Sequence, residues 1–249
     1  MIRYGLKLRS DNVPWFPEAR RLFDAKRFDF IELAHNPDVP FVENGLVQLL
    51  GLPMTVHSPT GHGFHEFVLG DEQFAIWRDT LRIAETVKSS IVVLHPGNEH
   101  TVDSFLEQLE KIDDPRILIE NMAGIDLNGK PMFGQRLEDL VEIRRTKGIC
   151  FDIEKAVKAA AYQNMDWITF IEDGIRLLQP AYFHISGGDA NSPMDEHKDV
   201  WQSTYDVARV KRMLEKISDG QDISLVFEVP KRDGGLQNDM KNMDYFRGL

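Results

Sequence analysis

Short apolar runs alternate with longer amphipathic stretches along the whole chain, and the alternation predicts eight strands and eight helices. The strands fall at 2–8, 28–33, 53–57, 91–95, 116–120, 148–152, 182–186 and 224–228. Several are continuously apolar, as strands covered on both faces are. Helices are predicted near 15–25, 40–50, 71–88, 102–112, 135–147, 166–178, 203–217 and 236–247. Eight such βα units predict an α/β fold, a (β/α)8 TIM barrel, occupying 1–249 as one domain. A doubly wound open sheet is the alternative. It is disfavoured because Arg9-Ser-Asp-Asn-Val-Pro14 stands where that fold carries a glycine-rich dinucleotide loop.

The polar residues that close these runs carry the chemistry. Glu120 follows Ile117-Leu-Ile, Asp152 follows Ile149-Cys-Phe, His184 follows Tyr182-Phe, and Glu228 follows Leu225-Val-Phe. Met54-Thr-Val-His57 and Ile91-Val-Val-Leu-His95 end in histidine. In a parallel barrel the C-terminal strand ends meet at the mouth, so six possible ligands from six strands converge there. All eight histidines (His35, His57, His62, His65, His95, His100, His184, His197) fall at such ends or just beyond them. Buried carboxylates need counter-charge, and no matching set of arginines accompanies them, so divalent cations are predicted. Mixed imidazole and carboxylate ligation suits Zn²⁺, Mn²⁺ or Fe²⁺ better than Mg²⁺ or Ca²⁺. Asp195-Glu-His197 adds two further candidate ligands. Lys231-Arg232 follows the last strand, where barrels often bind phosphate.

Composition narrows the partners without settling them. The formal charge of −11 gives no basic surface that would advertise nucleic acid, although bound cations can reverse the sign locally. Cys150 is the only cysteine, so no disulfide forms within the chain, and a reducing, cytoplasmic setting is expected. No apolar run is long enough to span a membrane, and no membrane partner is expected.

The residues now in view resemble the endonuclease IV branch of the xylose-isomerase-like barrels. Val56-His-Ser-Pro59, Leu94-His-Pro-Gly97, Ile119-Glu-Asn-Met-Ala-Gly124, Phe151-Asp152, Phe183-His-Ile-Ser186, Asp195-Glu-His197 and Phe227-Glu228 occur in that family's order. The resemblance implies cleavage of the phosphodiester 5′ to abasic sites in damaged DNA, with three zinc ions. It implies that Glu120 bridges two metals, that His57 and His95 hold one, and that Asp152, His184 and Glu228 complete the shells. Asp195 and His197 would serve the third metal. Glu120 or Glu228 would orient or deprotonate the attacking water. Two or three Zn²⁺ ions are therefore expected, with Mn²⁺ as a substitute.

The chain departs from the family pattern at Asp152-Ile-Glu-Lys155, where a histidine is expected three residues after the aspartate. One expectation is that the Lys155 ammonium replaces the third cation and pairs with Asp195, leaving two metals. Lys155, Lys231 and Arg232 are the candidate substrate-binding residues. The loop after the second strand is short, and Phe64 or His65 would have to serve where the family places an aromatic beside DNA. The competing reading is a sugar or sugar-phosphate isomerase or epimerase, in which Glu120, Asp152, His184 and Glu228 hold one Mn²⁺-type ion and the two glutamates exchange a proton.

Overall fold

The apolar runs close on themselves. In the computed structural model, which describes residues 1–39, 43–59, 71–97, 100–232 and 234–249, eight parallel strands form a closed barrel in chain order. They are β1 (Ile2–Arg9), β2 (Phe30–Ala34), β3 (Met54–His57), β4 (Val92–Leu94), β5 (Ile117–Glu120), β6 (Gly148–Asp152), β7 (Tyr182–Ile185) and β8 (Ile223–Phe227). The surrounding helices are α1 (Phe16–Asp24), α2 (Asp71–Thr86), α3 (Val102–Leu109), α4 (Leu137–Arg144), α5 (Ile153–Tyr162), α6 (Trp167–Leu178), α7 (Val207–Ser218) and α8 (Gln237–Gly248). This is the predicted TIM barrel.

Two helices differ from the sequence expectation. The stretch near 40–50 contains a 3-10 helix over Glu43–Gln48. Conversely, α5 begins directly after β6, where the periodicity predicts no helix. Its start is fixed by Asp152, whose side chain accepts from the Lys155 backbone N–H and thereby satisfies one of the unpaired donors of the first turn. The same aspartate is thus both strand end and helix cap.

Strand alternation divides the barrel interior into layers. Phe30, Val93, Cys150, Tyr182 and Val226 form an apolar plug inside the barrel, separate from the larger core under the helices. Gly5 permits this filling, since a Cβ there would lie 2.4 Å from the Phe30 ring. Two residues further along the same strands, the inward positions turn polar: Lys7 stands in register with Glu32, Glu32 with Thr55, and Asp152 with His184. Below the mouth, therefore, an apolar floor supports a charged layer. No helix among the described residues is long and apolar enough to cross a membrane.

Candidate metal centre

Glu120 lies at the middle of the charged layer, and its two oxygens face different partners. Oε2 is 3.1 Å from His57 Nε2 and 2.5 Å from His95 Nε2. Oε1 is 2.9 Å from His184 Nδ1 and 2.8 Å from Lys155 Nζ. His184 Nδ1 also lies 2.8 Å from Glu228 Oε1. Glu32, His57, Glu120, Asp152 and His184 are all fully buried.

Hydrogen bonding fixes how several of these groups present themselves. His57 Nδ1 is 2.7 Å from the Ser58 carbonyl oxygen, which can only accept. A ring proton therefore sits on Nδ1, and Nε2 is the atom that His57 turns toward Glu120. His95 is pushed down to about 3, by burial first and the Lys155 ammonium second, so it is neutral at pH 7. Two imidazole nitrogens and a carboxylate oxygen, all electron-pair donors, are thus held together. A shared cation resolves that arrangement.

The other ligand set is built differently. Glu120, Asp152, His184 and Glu228 bring one donor atom each to within 4.8 Å of one another, as do His57, His95 and Glu120. Asp152 Oδ2 is buried without a hydrogen-bond partner, and burial pushes its carboxyl up to about 6. An orphaned buried carboxylate oxygen beside an imidazole fits a divalent ion. His184 has carboxylates on both ring nitrogens, with Glu32 Oε2 2.9 Å from Nε2. Burial opposes its charge, but Cys150, Glu32, Glu228 and Glu120 outweigh that and hold its pKa well above the usual range. A metal at Nδ1 would replace a proton there, with Glu32 still orienting the ring from behind. The residues present therefore fit a divalent cation of the Zn²⁺ or Mn²⁺ kind.

The remaining candidates are distributed around this core. Lys155, 1% exposed, donates to Glu120 and lies 3.2 Å from His95 Nε2. Asp195 instead pairs with His197, Oδ2 to Nε2 at 2.9 Å. His197 Nδ1 donates to the Glu228 carbonyl at 3.2 Å, and its side chain stays 40% exposed at the mouth. Neither Asp195 nor His197 joins a metal-ligand group among the described residues. Lys231 is bonded to buried Asp239, and Arg232 lies 3.1 Å from Asp199. His35 contacts Thr80 Oγ1 at 2.8 Å, and His100 packs beside Phe105 and Phe133. Phe64, His62 and His65 lie outside the described residues.

Four contributors were not anticipated. Lys7, bonded to Glu228, and Glu32, 3.2 Å from Lys7, sit inside β1 and β2 rather than at their ends. The signal was a charge inside an apolar run, Phe30-Ile-Glu-Leu-Ala34. Glu154 and Lys158 are buried on α5. Lys158 Nζ donates to the Asp189 carbonyl at 2.7 Å and to Glu196, and lies 3.3 Å from Glu154 Oε1. Glu196 in turn accepts from the Asp189 N–H at 2.7 Å. This network ties the loop bearing Asp195 and His197 to α5.

A cavity of about 660 Å³ opens over the centre, with Lys7, Arg9, Trp15, Lys155, His197 and Lys231 in its wall. Asp195 and Glu228 stand in the same wall, so cationic and anionic groups line it together.

Comparison with known proteins agrees with this architecture. The family described as xylose isomerase-like TIM barrel matches residues 28–247. Among solved structures, endonuclease IV from Thermus thermophilus is similar at 20% identity and a TM-score of 0.72, covering 99% of this chain and 98% of that one. The AsfvAP:AG structure is similar at 14% identity and a TM-score of 0.66, over 99% and 97% of the two chains. A xylose isomerase-like TIM barrel/4-hydroxyphenylpyruvate dioxygenase fusion protein follows at 14% identity and 0.59, covering 93% of this chain and 39% of that one. At these identities the likeness is one of fold. No curated protein matches the chain by sequence.

Proposed function

Since the chain belongs to the xylose isomerase-like TIM barrel family, we propose that it is a divalent-metal-dependent phosphodiester hydrolase of the endonuclease IV type, acting on damaged DNA. The observation that carries this reading is the division of Glu120 between two ligand sets, one oxygen toward His57 and His95 and the other toward His184. An isomerase centre built from Glu120, Asp152, His184 and Glu228 alone has no task for His57 and His95. A carboxylate placed between two donor sets has one in phosphoryl chemistry.

Asp152, His184 and Glu228 would hold a divalent cation on one side of Glu120, and on the other side His57 and His95 turn their Nε2 atoms toward the same carboxylate, as donors for a second positive charge. When bound, the cation supplies charge neutralisation at the phosphoryl oxygens and lowers the pKa of water. The chain's own residues do the rest. Lys7, Arg9 and Lys231 line the cavity and oppose the negative charge of a phosphate entering it. Glu228, buried against Lys7 and His184, offers a carboxylate at the mouth that can accept the proton of an attacking water. Trp15 gives the cavity a flat apolar face for a sugar or base.

A second reading, the sugar or sugar-phosphate isomerase or epimerase, is favoured by one specific observation. Glu120, Asp152, His184 and Glu228 form a self-contained set of four donors, beneath a cavity sized for a small molecule. One experiment separates the two. The full chain, supplied with Zn²⁺ or Mn²⁺, is incubated with a duplex oligonucleotide containing a single abasic site, and in parallel with aldose and ketose phosphates. Cleavage 5′ to the abasic site, lost in Glu120→Gln, is expected. Sugar interconversion without cleavage overturns the hydrolase reading.

A further inference from the structure

We infer that Lys155 is a tethered cation that restricts this centre to one divalent ion. The inference rests on the metal-centre reading above and concerns how that centre is loaded.

Lys155 Nζ stands where the two ligand sets meet. It is 2.8 Å from Glu120 Oε1, the oxygen shared with His184, and 3.2 Å from His95 Nε2, a donor of the other set. A centre with two ions needs both sets at once, with the ions about 3.5–4 Å apart across the bridging carboxylate. The ammonium instead engages one donor atom from each set. It cannot easily swing away as a surface lysine does, because Lys155 is 1% exposed on α5 and its backbone N–H is bonded to Asp152 in the first turn. The neighbouring cationic positions are also taken: Lys7 is paired with Glu228 and Glu32, and Lys158 with Glu196 and Glu154. Asp195, which could receive a displaced ammonium, is already paired with His197.

The first divalent ion finds four donor residues, Asp152 with its orphaned Oδ2 among them, and binds there, sharing Glu120 with the ammonium. A second ion must either displace the ammonium into a partly dry layer or sit beside it. Like charges a few ångströms apart in such a layer repel strongly enough to weaken the second site by at least about a hundredfold. The resulting centre is mixed: one metal ion and one ammonium share Glu120.

The test is metal stoichiometry, read without any activity assay. Metal-stripped full-length chain is dialysed against graded Zn²⁺, and bound zinc per chain is measured by elemental mass spectrometry. The wild type is expected to take up one ion, with a second binding at least about a hundredfold more weakly. Lys155→Met, which keeps the stem and removes the charge, is expected to take up two ions of similar affinity, as is Lys155→Gln. Lys155→Arg, which keeps the charge, is expected to remain at one. Two ions of comparable affinity in the wild type overturn the inference and leave the metal reading standing, and that arm needs no variant to fold. One ion in both neutral variants also overturns it. No zinc in any form overturns the inference together with the metal reading.

Discussion

Lys155 and Lys158 sit three residues apart on α5, both buried and both facing carboxylates, yet they belong to different kinds of region. Lys158 closes a structural knot: a carbonyl and two carboxylates surround it and fasten the 187–199 loop to the helix. No group in that knot belongs to either of the ligand sets that meet at Glu120. The groups around Lys155 have an alternative partner, because Glu120 and His95 belong to a group that could hold a metal ion. The difference teaches that buried charge alone does not mark function. What marks it is a set of donors that an ammonium satisfies only in part.

The largest effect expected from breaking this contrast is on stability. Lys158→Met leaves Glu196 and Glu154 without their buried cation and should cost about 3–5 kcal/mol in chemical denaturation. Lys155→Met should also destabilise the metal-free chain. Zinc at about a hundred times its dissociation constant should stabilise each form by about 2.7 kcal/mol per ion bound, so Lys155→Met, taking up two ions, should recover about 2.7 kcal/mol relative to the wild type, which takes up one. Lys158→Met takes up one ion as the wild type does, so its deficit relative to the equally loaded wild type should persist. A deficit that zinc closes in both variants would erase the distinction.

The metal side can be sharpened through Glu32, which orients His184 from the face opposite Glu120. Glu32→Gln keeps the shape but weakens that orientation, and zinc affinity measured by calorimetry should fall about 10–100-fold. An unchanged affinity would make Glu32 a partner of Lys7 only.

A smaller effect follows from protons. His184 is held protonated by its carboxylates, with a pKa raised well above 6.5 despite burial, so zinc at Nδ1 must release a proton. Affinity should therefore rise with pH through neutrality, by up to about tenfold per unit while His184 keeps its proton. Below about 6 the slope should steepen, because Asp152, pushed up to about 6 by burial, also holds its proton there. A flat profile would mean that zinc does not use His184.

The smallest effect concerns the loop. Burial opposes the charge on His197, but Asp195 outweighs it and raises the pKa from 6.5 to about 10. A raised histidine stabilises the folded chain fully below its unfolded pKa, and that contribution disappears as pH rises from about 6.5 through about 10. Because the side chain is 40% exposed, solvent screening limits the contribution to roughly 0.5–1 kcal/mol. Asp195→Asn should flatten the corresponding fall in melting temperature.

Much of this architecture was readable in the chain before folding. The eight strands are legible because each is a short apolar run, and Glu120, Asp152 and His57 are legible because each terminates one. Lys7 and Glu32 were not, for a geometric reason. In a strand buried on both faces, alternation does not say which side faces the barrel axis, so a mid-strand charge acquires meaning only when closure sets Lys7 against Glu32. Helix α5 was hidden by its charges. Glu154, Lys155 and Lys158 break the apolar pattern of a buried helix, yet they are buried because their partners arrive from β5 and the loop after β7.

Cys150 gives the apolar floor a further use. The chain's single thiol lies inside the barrel, fully buried, with burial pushing its pKa up to about 12. A protonated thiol out of reach of solvent does not react with an alkylating reagent. Labelling of Cys150 can therefore proceed only from states in which strands have parted, and its rate becomes an internal clock for barrel opening, needing neither an introduced probe nor any knowledge of the substrate.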